Sequence, residues 1–274
     1  MKKEKIKNYN QIILAILGTL GIIIIIFFSI RLVILVISES ARNDYNEEET
    51  GILSNEKVET LQKENKRLQI ISYRNPELID TINSIYIIPV SHKNLDEPED
   101  TGLLNLIETP NKNKSNDKRY SNQFYGEFNN LIIYNQKNGK NHKLFNKRVN
   151  FDQIHTEYFS DDILLLFEVA EKDTYKDGVI NLLDFKSLYI YSIKEKILRK
   201  IKNEKMDVIS YMFFNNSKNL IIRYGIDKNS NGKYDKSSEP TIIKKYDYQK
   251  DKLSDLIDKK TNQDIQELLE GTKK

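Results

Sequence analysis

The chain has no cysteine, no tryptophan and only three histidines in 274 residues, and its charges form no extended stripe of one sign. Without cysteine there are no disulfides, thiolate metal sites, cysteine nucleophiles or acylated lipoprotein cysteine. Lys and Arg number 43 against 40 Asp and Glu, a net +3 with the signs interspersed, so the electrostatic footprint of a nucleic-acid binder is missing. His92, His142 and His155 belong to no metal-binding or nucleophile motif, and each is expected to be structural or solvated. No glycine-rich phosphate loop occurs. Asp161 and Asp162 are neighbours, which on a strand would face opposite ways, so they are expected to form a turn and not a catalytic dyad. The residue inventory thus favours a non-enzymatic protein.

What is present begins with an apolar run. Residues 12–30 contain 19 positions without a charge, enough for a helix to span about 30 Å of hydrocarbon. After Arg31 the apolar character resumes to Ile37, so a transmembrane helix is expected over 12–37. Arg31 would snorkel toward headgroups or, in the sharper alternative, serve a buried role. Lys2, Lys3, Lys5 and Lys7 precede the run, whereas acidic residues dominate after it, which sets residues 1–11 in the cytoplasm and the remainder outside. A signal peptide cleaved near Ser38 and Ser40 is the alternative to a signal-anchor, although its apolar region would be unusually long.

Residues 38–54 read as a polar tether. Val58, Leu61, Leu68 and Ile71 recur at helical spacing, so a stalk helix is expected over 55–71, either packed on its own domain or, with Asn65 at a heptad core position, paired with a second copy. From residue 72 to 257 short β-prone runs take over, including residues 85–90, 131–134, 163–167, 188–191, 208–214, 220–222 and 242–243. They predict an all-β domain. Residues 96–100 and 110–119 read as long polar loops, and 258–274 as a C-terminal helix and tail, the helix running from about Asn262 to Leu269 and ending at Gly271. The 16 tyrosines beside aliphatic strands suit half-buried sheet packing better than an adhesive surface.

The strands repeat with a period of about 54 residues. Placing Asp173 on Asp227 also places Asp177 on Asn231, Gly178 on Gly232, Ile180 on Tyr234 and Asn181 on Asp235. Upstream, the Phe159 turn and strand 163–167 fall on the Phe214 turn and strand 220–222; downstream, strand 188–191 falls on residues 242–246. Over residues 125–257 this pattern resembles the blade repeats of exported or membrane-anchored bacterial β-propeller proteins, though the turn at residues 215–218 lacks their Pro-Asp-Gly core. The resemblance implies an exported β-propeller-like repeat domain. Two full units and fragments leave ring closure open, with an open sheet or a sandwich as the other solutions.

The aligned turns carry oxygen donors at the spacing of a calcium loop. Asp173, Asp177, Asn181 and Asp184 in the first, and Asp227, Asn229, Asn231, Asp235 and Glu239 in the second, fall at or beside positions 1, 3, 5, 9 and 12 of an EF-hand-like pattern. Ca²⁺ takes about six to eight oxygens, and a chain can wrap it only by bending sharply at position 6, where both loops have glycine. The first loop resembles the dockerin variant. Tyr175 gives no carboxylate at position 3, and Ser238 takes position 12 of the second loop with Glu239 one place late. Turns of Asp, Asn and Gly also form without an ion, which is the bland alternative. Strands are expected after both loops, so these are calcium loops set in β-hairpins. The expected protein is a single-pass, membrane-anchored periplasmic or extracellular β-repeat binding or scaffold module, with Ca²⁺ as a structural cofactor and an envelope protein or polysaccharide as partner. The alternatives are an exported hydrolase with an unrecognised acidic site and, more weakly, a sensor whose cytoplasmic tail is too short for a domain.

Overall fold

In the computed structural model the described residues are 18–22, 24–31, 51–95, 123–201, 205–215 and 217–271. The chain divides into two compact units, Met1–Asn46 and Glu47–Lys274. In the first, residues 18–22 and 24–31 are helical, and Leu20, Ile24, Phe27 and Phe28 are exposed. The rest of the helix expected over 12–37, the tail 1–11, residues 38–50 of the tether and the polar loops 96–100 and 110–119 lie outside the described residues. Among the described residues no helix is long and apolar enough to cross a membrane.

The second unit is all-β. Its strands are β1 (Ile52–Leu53), β2 (Gln69–Tyr73), β3 (Glu77–Asp80), β4 (Ile85–Asn94), β5 (Gln123–Phe128), β6 (Asn130–Asn135), β7 (Lys140–Lys143), β8 (Phe151–Tyr158), β9 (Ile163–Ala170), β10 (Val179–Ile180), β11 (Lys186–Ser192), β12 (Ile197–Ile201), β13 (Met206–Phe213), β14 (Leu220–Ile226), β15 (Thr241–Asp247) and β16 (Lys252–Asp255). Three antiparallel meanders follow one another. The first has β2 and β3 side by side on one edge of β4, then β6 and β7; the second runs β8-β9-β11-β12 with β5 added beside β8; the third runs β13-β14-β15-β16. A separate ribbon pairs β1 with β10, Ile52 opposite Ile180 and Leu53 opposite Val179.

The middle meander is covered on both faces, which explains why residues 163–167 of β9 are apolar throughout and do not alternate. Leu165 and Phe167 join Ile87, Leu131, Ile133, Tyr189 and Tyr191 in one core. Leu164 and Leu166 join Leu188, Ile190, Val208, Leu220, Ile222 and Tyr224 in the other. Phe145, Phe151 and Phe167 meet edge-on or tilted at 5.4–5.7 Å between ring centres, a geometry that adds to simple burial.

Two helices flank the sheets: α1 (Asn55–Lys63) and α2 (Lys259–Glu270). Ser54 caps α1 by accepting from Lys57 N, and Asp258 caps α2 in the same way. The helix expected over 55–71 is therefore shorter, and the paired-stalk reading of Asn65 is corrected. Asn65 takes a φ of 54°, Lys66 N donates to Leu61 O at 2.9 Å and Asn65 N to Gln62 O at 3.1 Å, which is a Schellman stop. Residues 69–73, with β-branched Ile70 and Ile71, then pair with β4 as strand β2. At the other end α2 begins a turn before Asn262 and closes on Gly271 at a φ of 69°.

Candidate functional site: twin loops and a buried acid cluster

Each aligned loop lies between the second and third strands of its meander, the first from β9 to β11 and the second from β14 to β15. Their hydrogen-bond plans match. Asp173 Oδ2 accepts from Gly178 N and Asp227 Oδ2 from Gly232 N, both at 3.0 Å. Gly178 and Gly232 stand at φ 93° and 88°, the left-handed bend that position 6 was expected to need.

The closing acids are also equivalent. Asp184 accepts from Thr174 N (2.6 Å), Tyr175 N (3.0 Å) and Asn181 N (2.9 Å). Glu239 accepts from Lys228 N (2.7 Å), Asn229 N (3.2 Å) and Asp235 N (2.9 Å), the amides at the same loop places. The side chain one methylene longer spans the extra residue, and Ser238 turns aside to donate to Asp235 Oδ2 at 2.7 Å. The remaining donors fold onto the next turn of backbone: Asp177 Oδ1 accepts from Val179 N, Asn181 Oδ1 from Leu183 N, Asn229 Oδ1 from Asn231 N and Asn231 Oδ1 from Lys233 N, all at 2.8–3.0 Å.

The loops touch each other. Thr174 Oγ1 donates to Gly232 O at 2.6 Å, and Lys233 Nζ stands 4.0 Å from the centre of the Tyr175 ring. A side chain at Gly232 would overlap the Thr174 carbonyl, so glycine is required there by the neighbouring loop as well as by its own bend.

Their electrostatics differ. Asp184 is fully buried, and that burial raises its carboxyl above the usual range, opposed by the backbone amides of Tyr175, Asn181 and Thr174. Asp235 is held down to about 2 by the Ser238 and Ser237 hydroxyls and the Ser237 amide, and the Asp235 amide lowers Glu239. Asp173 Oδ1 is buried with no hydrogen-bond partner, a costly condition for a carboxylate oxygen and the condition a bound cation relieves. Among the described residues no three His, Asp or Glu side chains gather as a metal-ligand group. An ion in either loop would therefore need Asn oxygens, backbone carbonyls and water as well, and the Asn181, Asn229 and Asn231 oxygens here accept from backbone amides.

A second polar constellation lies at the margin of the core between the second and third meanders. Glu168, on the same face of β9 as Leu164 and Leu166, shares this region with Asp152 of β8, Lys186 of β11 and Asp207 of β13. Lys186 Nζ donates to Asp207 Oδ2 at 2.8 Å. Burial raises the Glu168 carboxyl to about 7, and the charges of Asp152 and Asp207 push the same way against Lys186. His155 stacks on Tyr211, with Nδ1 3.1 Å from its hydroxyl, and Nε2 lies 3.3 Å from Glu157 Oε2. A cavity of about 680 Å³ lined by Arg74, Tyr125, Glu127, Asn150, Asp152 and Asn181 runs from here to the first loop.

Sequence reasoning missed this cluster, whose members come from four strands; a lone Glu inside the apolar run of β9 was its one visible sign. His92 contacts Asn129 Oδ1 at 2.8 Å and His142 the Tyr191 hydroxyl at 3.1 Å, while Asp162 accepts from Ser192 Oγ at 2.6 Å and Asp161 from Lys218 at 2.8 Å. No family model, curated protein or solved structure matches the chain.

Proposed function

We propose that the chain is a membrane-anchored, extracytoplasmic scaffold or binding module whose β-repeats are locked by Ca²⁺ in the twin loops. The three consecutive meanders, each packed on the next, are read as blades of a propeller-like arc, and the apolar segment 12–37 as its signal-anchor. The observation that carries the ion reading is the shared hydrogen-bond plan of the loops together with the orphaned Asp173 Oδ1. An ion there neutralises carboxylates inside a long hairpin and cross-ties its ends. Outside the cytoplasm Ca²⁺ is abundant enough for a site of about 10⁻⁴ to 10⁻³ M affinity. The envelope partner, a protein or a polysaccharide, would meet the sheet surfaces. Melting of the full chain in detergent, with Ca²⁺ and with chelator, tests the reading: the ion should raise the midpoint, and Asp173→Ala with Asp227→Ala should abolish the rise. An unchanged midpoint at saturating Ca²⁺ removes the ion from the account.

A second reading, an exported hydrolase, draws on Glu168. Burial raises the Glu168 carboxyl to about 7 and also raises Asp152, which lines the cavity, and Asp207; a carboxyl held protonated near neutral pH close to a cavity is what general acid catalysis uses. Hydrolysis of polysaccharide or peptide substrates that Glu168→Gln eliminates without loss of folding would favour it; no turnover by the native chain leaves the scaffold reading in place.

A further inference from the structure

The first loop has two walls. One carries the oxygen donors, and the other is covered by residues 51–54. β1 pairs with β10, which is itself positions 7 and 8 of the loop, and Ser54 N donates to Gly178 O at 2.8 Å. Ile52 is buried against Ile180 and Ala170 alone in a small core of its own. Gly51, at φ 144°, lies so close that a Cβ would come within 2.6 Å of Ile180 O and 2.8 Å of Asn181 Cβ. Positions 6 to 9 of the loop therefore all touch residues 51–54.

The other ties on this stretch come from side chains. α1 buries none of its residues. Gln69 bridges Leu53 N and Gly51 O at 3.0 Å each, and the Arg148 guanidinium reaches Leu53 O and Asn55 Oδ1. These are side-chain ties, and the apolar anchor is Ile180. Its position depends on the loop's bend, which Asp173 and Asp184 hold from the donor side.

We propose that the first loop is an ion-dependent clasp for the chain entering the β-domain: with Ca²⁺ bound it grips Gly51–Ser54, and without it that segment is released. The proposal rests on the ion reading above and adds what the ion controls. Release would free the chain from Gly51 to Leu68, a stretch of about 60 Å at full extension. On the second loop Gly232 is covered by Thr174 of the first loop and not by an entering segment, so it would stabilise without gating. Linkage makes the coupling reciprocal: whatever docking gains from the ion, the ion gains from docking.

Hydrogen exchange of the full chain in detergent, read by mass spectrometry with Ca²⁺ or chelator, tests this alongside equilibrium dialysis of Ca²⁺. Peptides covering residues 51–63 should exchange about tenfold faster with chelator, while those from β14 and β15 change little. Asp173→Ala should show the fast pattern even in Ca²⁺. Gly51→Ala attacks from the docking side, leaving every donor intact, and should weaken one class of Ca²⁺ site about tenfold. If Ca²⁺ binds but residues 51–63 exchange equally with and without it, or Gly51→Ala binds like the native chain, the clasp is wrong and the ion site stands. If dialysis shows no bound Ca²⁺, both fall together.

Discussion

The two loops share one hydrogen-bond plan and differ in what lies behind it. The first backs onto β1 and the small core of Ile52, Ile180 and Ala170, closes on a fully buried Asp184, and leaves Asp173 Oδ1 without a partner. The second faces outward at Asn229, Ser230 and Asn231, and satisfies its acids from its own serines and amides. A turn whose oxygens are all answered from within can stand without an ion, whereas one with a buried unanswered oxygen is strained until something supplies positive charge. If both loops take an ion, the first therefore depends on it more than the second does.

The largest test of that contrast is removal of the closing acids. Asp184→Ala leaves one buried and two half-buried amides unpaired and should cost about 4 kcal/mol in denaturant unfolding. Glu239→Ala should cost less, because Lys228 and Asn229 are exposed residues whereas Asn181 behind Asp184 is buried. Equal losses would mean that the loops do not differ in burial energetics.

Glu168 extends the comparison to a largely desolvated, half-buried acid whose raised carboxyl no backbone amide opposes. Its folded pKa of about 7 exceeds the ordinary 4.5, so between those values the folded state holds a proton that the unfolded state has lost. Stability from this group is present below about pH 4.5 and falls as pH rises to about 7, by on the order of 3 kcal/mol. Glu168→Gln should flatten that decline, raising stability at pH 8 and leaving pH 4 nearly unchanged; a parallel drop at both pH values would place the stabilisation elsewhere.

How much of this could be read in advance depended on distance along the chain. The strands and both loops were legible because alternation, Gly178, Gly232 and the donor spacing act over a dozen residues. The end of α1 was misjudged because Asn65 suits a heptad core position and a left-handed stop alike, and only the pairing of β2 with β4 decides between them. Glu239 fell outside a strict pattern because a longer side chain can close a longer loop. The group of Asp152, Glu168, Lys186 and Asp207 was invisible, since strand pairing alone brings those positions together.

Two smaller tests sharpen the loop comparison. Tyr175 occupies the place where the second loop has Asn229, so Tyr175→Asp should raise the first loop's Ca²⁺ affinity about fivefold in a titration, because affinity follows the number of charged ligands. Lys233→Ala removes the cation over the Tyr175 ring and should cost about 0.5 kcal/mol of thermal stability, and less still in the presence of Tyr175→Asp. An affinity that does not respond to Tyr175→Asp would mean that position 3 faces no ion.

The most direct measurement is a calorimetric Ca²⁺ titration of the full chain in detergent. The account predicts saturable heat at about 10⁻⁴ to 10⁻³ M that disappears when Asp173 and Asp227 are both replaced by Ala. Heat no greater than dilution in the native chain, or heat undiminished in the double variant, would contradict it.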